Sequence, residues 1–220
     1  MSLTVPGGLP ENPAVRTFVD MPLRITGGVA TARMFSFRGL IDDGEHVALG
    51  LGDFRQSERP TLIRVHSECL TGDTFGSQRC DCGPQLAESI ETLAARGGYL
   101  LYLRQEGRGI GLYAKMDAYR LQDGGMDTFQ ANRALGFRDD ERDYAVAAQM
   151  LRALGVDRID LLTNNPGKVS QLEACGVDVH EQVRTGFHLT LANGRYLAAK
   201  IAAGHDLVPE DPGADDILLP

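Results

Sequence analysis

The sequence predicts an α/β or α+β fold in which a mixed, twisted β-sheet forms the core and helices flank it. Two observations support this prediction: β-like segments dominate the first third of the chain, and helical and strand-like segments alternate after them. No repeat with a period of about 20–50 residues and no long Gly/Ser linker divides the chain. We therefore expect one domain over residues 23–204, preceded by an irregular arm (1–22) and followed by an acidic tail (205–220).

The first third of the chain combines an arm with three strand-like segments. Residues 1–22 contain four prolines and little periodicity, which predicts irregular structure. Between residues 23 and 64 lie GGVATARMFSFRG, EHVALGLGDF and TLIRVHSE. Gly, Asp or Pro bounds each of them, as is typical of strands that end in turns. These segments predict a twisted antiparallel or mixed sheet.

The rest of the chain alternates between helices and strands. PQLAESIETLAARGG predicts a helix of about three turns, because Pro84 suits a first helical position and two glycines end the pattern. GYLLYLRQ predicts a buried strand. Further helices are expected near residues 112–121, 141–154 and 166–174, and further strands at RIDLLT, VDVHEQV and FHLTLA. The end of the chain is acidic and rich in proline, which predicts a solvated, mobile tail.

The charge balance limits the partners. The chain has 22 Lys+Arg against 30 Asp+Glu, a net charge of -8, so a long polyanion such as duplex DNA would meet a repulsive field. The N-terminus lacks a basic segment followed by an apolar run, and no window of about 18 apolar residues occurs. We expect a cytoplasmic protein without a nucleic-acid or membrane partner. A small phosphorylated ligand is compatible with a local basic pocket.

Three of the four cysteines, Cys69, Cys80 and Cys82, lie in one polar segment. Three thiolates are the number that a catalytic zinc takes from protein while a fourth position stays open for water. In a reducing compartment this crowding favours a metal over disulfides, with buried thiols as the alternative. Cys175 lies far along the chain and is expected to be a small buried apolar side chain.

Two further segments have the residue types of an anion-binding site. RQEGRGIGL (104–112) lies between a predicted strand and a predicted helix, where glycines expose backbone NH groups and two arginines add charge. TNNPGK (163–168) leaves Lys168 in the first turn of a helix, where its charge opposes the helix dipole, and this indicates an anionic ligand. An ordinary glycine-rich turn is the alternative for the first segment. Helix capping is the alternative for the acidic run at 139–143.

Five motifs occur in order along the chain: RVHSEC (64–69), GSQRCDCG (76–83), RQEGRGIGL (104–112), GFRDDERDY (136–144) and LLTNNPGK (161–168). Together they resemble GTP cyclohydrolase II over roughly residues 45–185. The resemblance implies a GTP cyclohydrolase II-like fold and zinc-dependent hydrolysis of GTP. In that reaction the guanine imidazole ring opens at C8, and formate and pyrophosphate leave. The product, 2,5-diamino-6-(5-phosphoribosylamino)pyrimidin-4(3H)-one, is made in the first step of riboflavin biosynthesis.

The resemblance also implies ligands, site residues and an assembly. One zinc ion per chain would be bound by Cys69, Cys80 and Cys82, magnesium would accompany the triphosphate, and the chain would form a homodimer. Catalytic roles would belong to Tyr119, Asp140 and Arg142. GTP would be contacted by Arg64, Val65, His66, Ser67, Glu68, Gln85, Glu106, Gly107, Arg108, Thr128, Thr163 and Lys168.

Three alternatives stay open at this point. A relative of the family could stop at a formamidopyrimidine or feed a secondary-metabolite pathway. HSE (66–68) matches the H-x-E half of the zinc nucleobase deaminase signature, although the P-C-x-x-C half is absent. A non-catalytic zinc module that binds protein or nucleic acid is the alternative from another class. Release of formate with pyrophosphate indicates the complete reaction, and pyrophosphate without formate indicates a relative that stops at the formamide. Release of ammonia indicates a deaminase, and unchanged GTP indicates a non-catalytic module.

Overall fold

The chain folds around a seven-stranded mixed β-sheet. The structure, a computed structural model, describes residues 12–55, 59–190 and 192–207. Its strands are β1 (Ala14–Ile25), β2 (Gly28–Arg38), β3 (Val47–Leu51), β4 (Thr61–Ser67), β5 (Gly98–Leu103), β6 (Arg158–Leu162) and β7 (Asp178–Val183). Its α-helices are α1 (Cys82–Arg96), α2 (Leu112–Asp123), α3 (Thr128–Ala134), α4 (Ala145–Leu154), α5 (Pro166–Ala174) and α6 (Gly194–Ala202). The predicted mixed sheet with flanking helices is confirmed.

The sheet joins an antiparallel half to a parallel half. Its strand order is β1-β2-β3-β5-β4-β6-β7. The pairs β1/β2, β2/β3 and β3/β5 are antiparallel, whereas β5/β4, β4/β6 and β6/β7 are parallel. The parallel pairing puts the carboxyl ends of four neighbouring strands at one edge of the sheet. Ligands of α/β proteins bind at such edges.

Alternate residues of a strand face opposite sides of the sheet. Both sides of the central strands are buried, each in its own core cluster. One core cluster packs Ile63 and Leu101 against residues of α4 and α5. The other packs Leu62 and Leu100 against Leu93 of α1. Strands covered on both faces have nearly continuous apolar runs, and this explains why GYLLYL could be recognised as a buried strand. Cys175, expected to be a small buried apolar side chain, is partly buried and packs against the first cluster.

The N-terminal part of the sheet differs from the prediction. Residues 14–22 were expected in an irregular arm, but they lie in β1, which pairs with β2 along almost its whole length. The arm prediction is wrong for these residues because long-range pairing outweighs weak local periodicity. Pro22 is tolerated because β1 is an edge strand, where one side of the backbone needs no ladder bonds. Residues 1–11 of the predicted arm lie outside the described residues.

The C-terminal part also differs from the prediction. FHLTLA was predicted as a strand, but residues 187–190 are irregular. Side chains hold this backbone instead: Nδ2 of Asn193 donates to O of His188 across 2.8 Å. Helices α3 and α6 were not predicted, although α3 begins with a capping box formed by Asp127 and Gln130. Of the predicted tail, residues 205–207 pack beside α6, and residues 208–220 lie outside the described residues.

The acidic run at 139–143 precedes α4 rather than lying within its first turn. The helix begins at Ala145, and Asp143 accepts a hydrogen bond from N of Ala145 across 2.7 Å. Helix capping therefore accounts for Asp143 alone, while Asp140 has a different partner, described below. Across the described ranges, no helix combines the length and the apolar character that crossing a bilayer requires.

Candidate active site

Polar and charged side chains converge in one cavity at the carboxyl edge of the parallel strands. The segments that follow β4, β5, β6 and β7 all contribute to its wall. Of the site residues predicted from the sequence, every one except Asp140 lines this cavity. The fold thus brings together residues from five motifs that are far apart in the sequence.

Three thiols form a cluster at one end of the cavity. Sγ of Cys69 lies 3.6 Å from Sγ of Cys80, and the three sulfur atoms, with that of Cys82, lie within 4.8 Å of one another. Hydrogen bonds from the thiols of Cys80 and Cys82 hold the pKa of Cys69 well below its ordinary value. The hydrogen bond to Cys69 in turn raises the pKa of Cys80 to about 11. The cluster therefore carries negative charge at neutral pH, which suits a cation.

The backbone around the thiols leaves no room for larger residues. A π-helical turn (Leu70–Thr74) follows Cys69, and α1 begins at Cys82. A Cβ atom at Gly72 would lie 2.9 Å from Sγ of Cys80 and 3.1 Å from Sγ of Cys69. A Cβ atom at Gly83 would overlap O of Gly72. The two glycines allow both segments to close around the sulfur atoms.

A lysine that the sequence analysis missed contacts the thiol cluster. Nζ of Lys115 donates to Sγ of Cys69 (3.1 Å), to Oγ1 of Thr71 (3.0 Å) and to Oε1 of Glu106 (2.8 Å). One turn further along α2, the hydroxyl of Tyr119 lies 3.4 Å from Oγ1 of Thr71. Residues four apart share a helix face, so the spacing from Tyr119 could have identified Lys115.

His66 belongs to a buried network behind the thiols. Its Nε2 lies 3.1 Å from both carboxylate oxygens of Asp73. Asp73 also accepts hydrogen bonds from N of Cys69 (3.0 Å) and from the hydroxyl of Tyr102 (2.8 Å). Burial lowers the pKa of His66 below its ordinary value despite Asp73, so the imidazole is neutral at pH 7. Asp73 thus fixes the His66 side chain in the cavity wall and the backbone of Cys69.

A chain of hydrogen bonds connects the central strands to the loop between the cysteines. Arg64 donates to O of Leu162 (3.0 Å) and to Oε1 of Gln85 (2.9 Å), and Nε2 of Gln85 donates to Asp81 (2.7 Å). Asp81, between two of the cysteines, is 1% exposed. Nε of Arg64 is buried and has no partner within the described structure. A buried donor left unpaired beside a cavity indicates that a ligand supplies the acceptor.

The predicted anion cradle is a tight turn over Glu106–Gly109. Gly107 and Arg108 both lie in the left-handed region, with φ of 63° and 60°. Within the described ranges, Arg108 is the one non-glycine residue with positive φ. Such strained conformations cluster at functional sites. Its guanidinium lies 4.8 Å from the centre of the Phe129 ring, and this contact with α3 holds the charge in the cavity wall.

Asp140 lies outside the cavity and positions Arg142, which lines it. Nε of Arg142 donates to both carboxylate oxygens of Asp140, across 2.9 and 3.1 Å. Burial lowers the pKa of Arg142, but Tyr144 and Asp140 raise it more, so its pKa lies above the ordinary value. Burial raises the pKa of Asp140, but Arg142 lowers it more. Both groups are therefore charged at neutral pH.

Lys168 is a buried lysine among other cations. Its Nζ donates to O of Val65 across 2.7 Å. Burial lowers its pKa well below the ordinary value, and the charges of Arg64 and Arg142 lower it further. Like charges grouped out of water are unfavourable unless a counter-charge binds between them. This end of the cavity is therefore suited to a polyanion.

The segment after β7 adds cavity residues that no motif predicted: Thr185, Tyr196, Lys200, His205 and Leu207. From the sequence, a strand and a mobile tail were expected in this region. Thr185 is held just beyond the end of β7 by hydrogen bonds with Asn164, whereas the other four meet the motifs through the packing of α6 and of the residues after it.

The fold and the site together define a class of protein: a hydrolase that acts on a small phosphorylated molecule. A sequence model of the family described as GTP cyclohydrolase II matches residues 17–184. GTP cyclohydrolase-2 of Vibrio parahaemolyticus is 52% identical over 194 residues, covering 88% of this chain and 98% of the relative. GTP cyclohydrolase-2 of Vibrio cholerae is 51% identical over 190 residues, covering 86% and 96%.

Riboflavin biosynthesis protein RibBA of Bacillus subtilis is 52% identical over 184 residues, covering 83% of this chain and 46% of the relative. The chain belongs to the GTP cyclohydrolase II family. It is accordingly a hydrolase of riboflavin biosynthesis with GTP as its small-molecule substrate, and the resemblance found in the five motifs is confirmed.

Proposed function

We propose that the protein depends on zinc and opens the guanine imidazole ring of GTP at C8, releasing formate and pyrophosphate. The product would be 2,5-diamino-6-(5-phosphoribosylamino)pyrimidin-4(3H)-one, made in the first step of riboflavin biosynthesis. One observation carries the proposal: the same cavity is lined by a three-thiol cluster and by a group of buried cations that includes Lys168 and its neighbours Arg64 and Arg142. GTP has a ring to be hydrolysed at one end and a triphosphate at the other.

The reaction consumes three water molecules. One opens the imidazole ring to a formamide, and a second cleaves the formamide to formate and an amine. A third cleaves the bond between the α- and β-phosphates, so that pyrophosphate leaves and the monophosphate stays on the product. The site must therefore orient water at two places, one beside the thiols and one beside the cations.

The thiol geometry fits zinc. Zn–S bonds of about 2.3 Å in a tetrahedral arrangement place two sulfur atoms about 3.8 Å apart, and the Cys69 and Cys80 sulfur atoms are 3.6 Å apart. We propose that Cys69, Cys80 and Cys82 hold the ion. When bound, zinc with three protein ligands keeps a position for water and lowers the pKa of that water.

Tyr119 and Lys115 would organise the ring-opening end. Burial raises the pKa of Tyr119 above its ordinary value, so its hydroxyl stays protonated at neutral pH. A protonated hydroxyl beside Thr71 can orient water or a guanine nitrogen but cannot act as a base. We therefore propose an orienting role for Tyr119. Lys115 would hold Glu106 and Cys69 in place, through the hydrogen bonds described above.

Arg108, Arg142 and Lys168 would bind the triphosphate. Guanidinium groups suit phosphate oxygens because they donate in a fixed fork. Magnesium would be held mainly by the phosphate oxygens, as is usual for nucleotide-bound magnesium. Nucleophilic attack by Arg142 is disfavoured, because its pKa lies above the ordinary value and the group stays protonated. We propose that Arg142 stabilises the charge that develops as pyrophosphate leaves.

A homodimer and a cytoplasmic location complete the proposal. β1 is an edge strand, and its Phe18 and Val19 are 51% and 56% exposed. An exposed apolar edge strand is a surface that proteins usually cover. Light scattering on the purified protein tests the assembly: a mass twice that of the 23.8 kDa chain supports a dimer, and the mass of one chain contradicts it.

The zinc-loaded protein should be incubated with GTP and magnesium while formate, pyrophosphate and ammonia are measured together. Formate and pyrophosphate in equal amounts would support the complete reaction. Pyrophosphate without formate would favour the alternative that stops at a formamidopyrimidine. Ammonia would favour a deaminase, and unchanged GTP would favour a non-catalytic zinc module.

A further inference from the structure

The family match ends at residue 184, but the cavity wall continues beyond it. We propose that α6 and the residues beside it form a functional wall of the triphosphate site, in which Thr185 and His205 contact phosphate oxygens and Lys200 is the positioning residue. This inference rests on the proposed binding of GTP in the cavity. It assigns substrate contacts to residues outside all five motifs.

Lys200 fixes α6 to the loop that carries the thiols. Its Nζ lies 2.6 Å from Oδ1 of Asp81, and the two side chains are 10% and 1% exposed. Asp81 lies between Cys80 and Cys82 and is also bound by Gln85. Removing one partner of a buried ion pair leaves the other charge uncompensated, so this pair strongly determines where α6 docks.

Tyr196 lies one turn before Lys200 on the same face of α6. Nζ of Lys200 lies 4.8 Å from the centre of the Tyr196 ring, and the guanidinium of Arg108 lies 5.9 Å from it. Both cations lie within the distance of about 6 Å at which an aromatic ring attracts a positive charge. The helix thereby contacts the strained glycine-rich turn as well as the thiol loop.

Thr185 has an unused hydrogen-bonding group in the cavity wall. Its backbone is fixed by Asn164, which accepts from N of Thr185 and donates to O of Thr185, each across 2.9 Å. The residue lines the cavity and is 6% exposed, and its Oγ1 is buried without a hydrogen-bond partner in the described structure. A buried hydroxyl left unpaired costs about 1–3 kcal/mol. A phosphate oxygen would supply the missing partner.

His205 lies among the cations at the same end. Its backbone is held by N of His205 donating to O of Lys200 (3.1 Å) and by N of Asp206 donating to O of Asn164 (2.8 Å). Burial lowers the pKa of His205 to about 4, and the charges of the surrounding cations contribute: Lys200, Arg142, Arg108 and Lys168. A neutral imidazole can donate one N–H to a phosphate oxygen without adding to the crowded positive charge.

The test uses inorganic triphosphate and guanosine as separate probes of the two ends, measured by calorimetry on the zinc-loaded full chain. Thr185→Val and His205→Phe should each weaken triphosphate binding about tenfold, the loss expected for a hydrogen bond to a charged group. Guanosine binding and zinc content should not change. Thr185→Ser keeps the hydroxyl and should bind triphosphate like the parent. His180→Phe, on β7 and outside the cavity, is the matched histidine control.

The role of Lys200 needs a double-mutant cycle. Lys200→Met should weaken triphosphate binding, and adding His205→Phe should cause little further loss, because the imidazole is already misplaced. Lys200→Arg should restore most of the affinity. Losses that multiply in the double variant would overturn the positioning role.

The outcomes separate this inference from the proposed function. If the parent releases formate from GTP but all variants bind triphosphate as tightly as the parent, the wall has no phosphate contacts and the inference fails. If the parent protein binds no triphosphate, the inference fails as well. If the parent releases no formate while the variants lose triphosphate affinity as expected, the function fails and the wall stands as an anion site.

Discussion

Lys115 donates a hydrogen bond to Sγ of Cys69 across 3.1 Å, joining a helix to the first thiol of the cluster. The same ammonium donates to Glu106, so one partly buried cation contacts both a thiol and a carboxylate. Three thiolates around a divalent ion leave a net charge of about -1, and the lysine compensates this charge. Hydrogen bonds to metal ligands also fix their orientation.

Lys115→Met is therefore expected to weaken zinc binding by about 10–100-fold, the usual cost of losing an outer partner of a metal ligand. Competition with a chromophoric chelator measures the affinity directly. Lys115→Arg, which keeps the charge, should lose less. Equal zinc affinity in the methionine variant and the parent would show that the contact with Cys69 does not support the metal site.

Substitution of a thiol and substitution of a cation should impair different parts of the reaction. Cys80→Ser removes a proposed ligand, so zinc content and formate release should both be lost. Arg142→Ala should keep the zinc and slow pyrophosphate release by about 10²–10³-fold, the cost of removing one group that stabilises developing charge. Metal analysis and both product assays on each variant check this. Full zinc content in Cys80→Ser would overturn the ligand assignment.

Gly72 should not tolerate a side chain. A Cβ atom there would lie 2.9 Å from Sγ of Cys80, and overpacking of this kind costs about 1–3 kcal/mol. Gly72→Ala should therefore lose zinc affinity while the circular dichroism spectrum stays that of the parent. Gly28→Ala is the matched control, because a Cβ atom at Gly28 has no atom within 4 Å. A zinc affinity that is the same in both variants would contradict the packing around the thiols.

His205 should make the ligand-free protein less stable as the pH falls. Its folded-state pKa is about 4, whereas an unfolded histidine titrates near about 6.5. Between these values the unfolded chain binds a proton that the folded chain does not, so stability decreases as the pH falls through this window. From about pH 7 to about pH 5 the loss should be about 1–2 kcal/mol, allowing for partial exposure of the side chain.

Urea unfolding of the parent and of His205→Asn at these two pH values measures the contribution, because losses from other groups occur in both proteins. The parent should lose more stability than the variant. The same loss in both would mean that His205 is not held neutral by burial and its cationic neighbours.

Much of the site could be predicted from the sequence because most of its functional residues lie in short motifs. Each parallel strand is followed directly by its functional residues, as with Ser67 before Cys69 and Leu162 before Thr163. A buried apolar run followed by polar residues and glycines is a local pattern, and the sheet topology then brings these strand ends together. The thiols were recognisable for the same reason, since all three lie in one segment.

The rest depends on contacts between distant parts of the chain. Lys200 acquires its role only where α6 meets Asp81, and no spacing in the sequence links the two residues. β1 is a strand because β2 pairs with it. Its own sequence has weak periodicity, Pro13 precedes it and Pro22 lies within it. Asp140 was expected to have a catalytic role, but it does not line the cavity and instead accepts hydrogen bonds from Arg142, which does.

The central claim, that the guanine ring itself is hydrolysed, is tested most directly by following GTP labelled with ¹³C at C8 by nuclear magnetic resonance. With zinc-loaded protein and magnesium, the label should move from the guanine position into free formate as pyrophosphate accumulates. A label that stays in an intact guanine ring while pyrophosphate accumulates would contradict the account, because the protein would then be cleaving only the triphosphate.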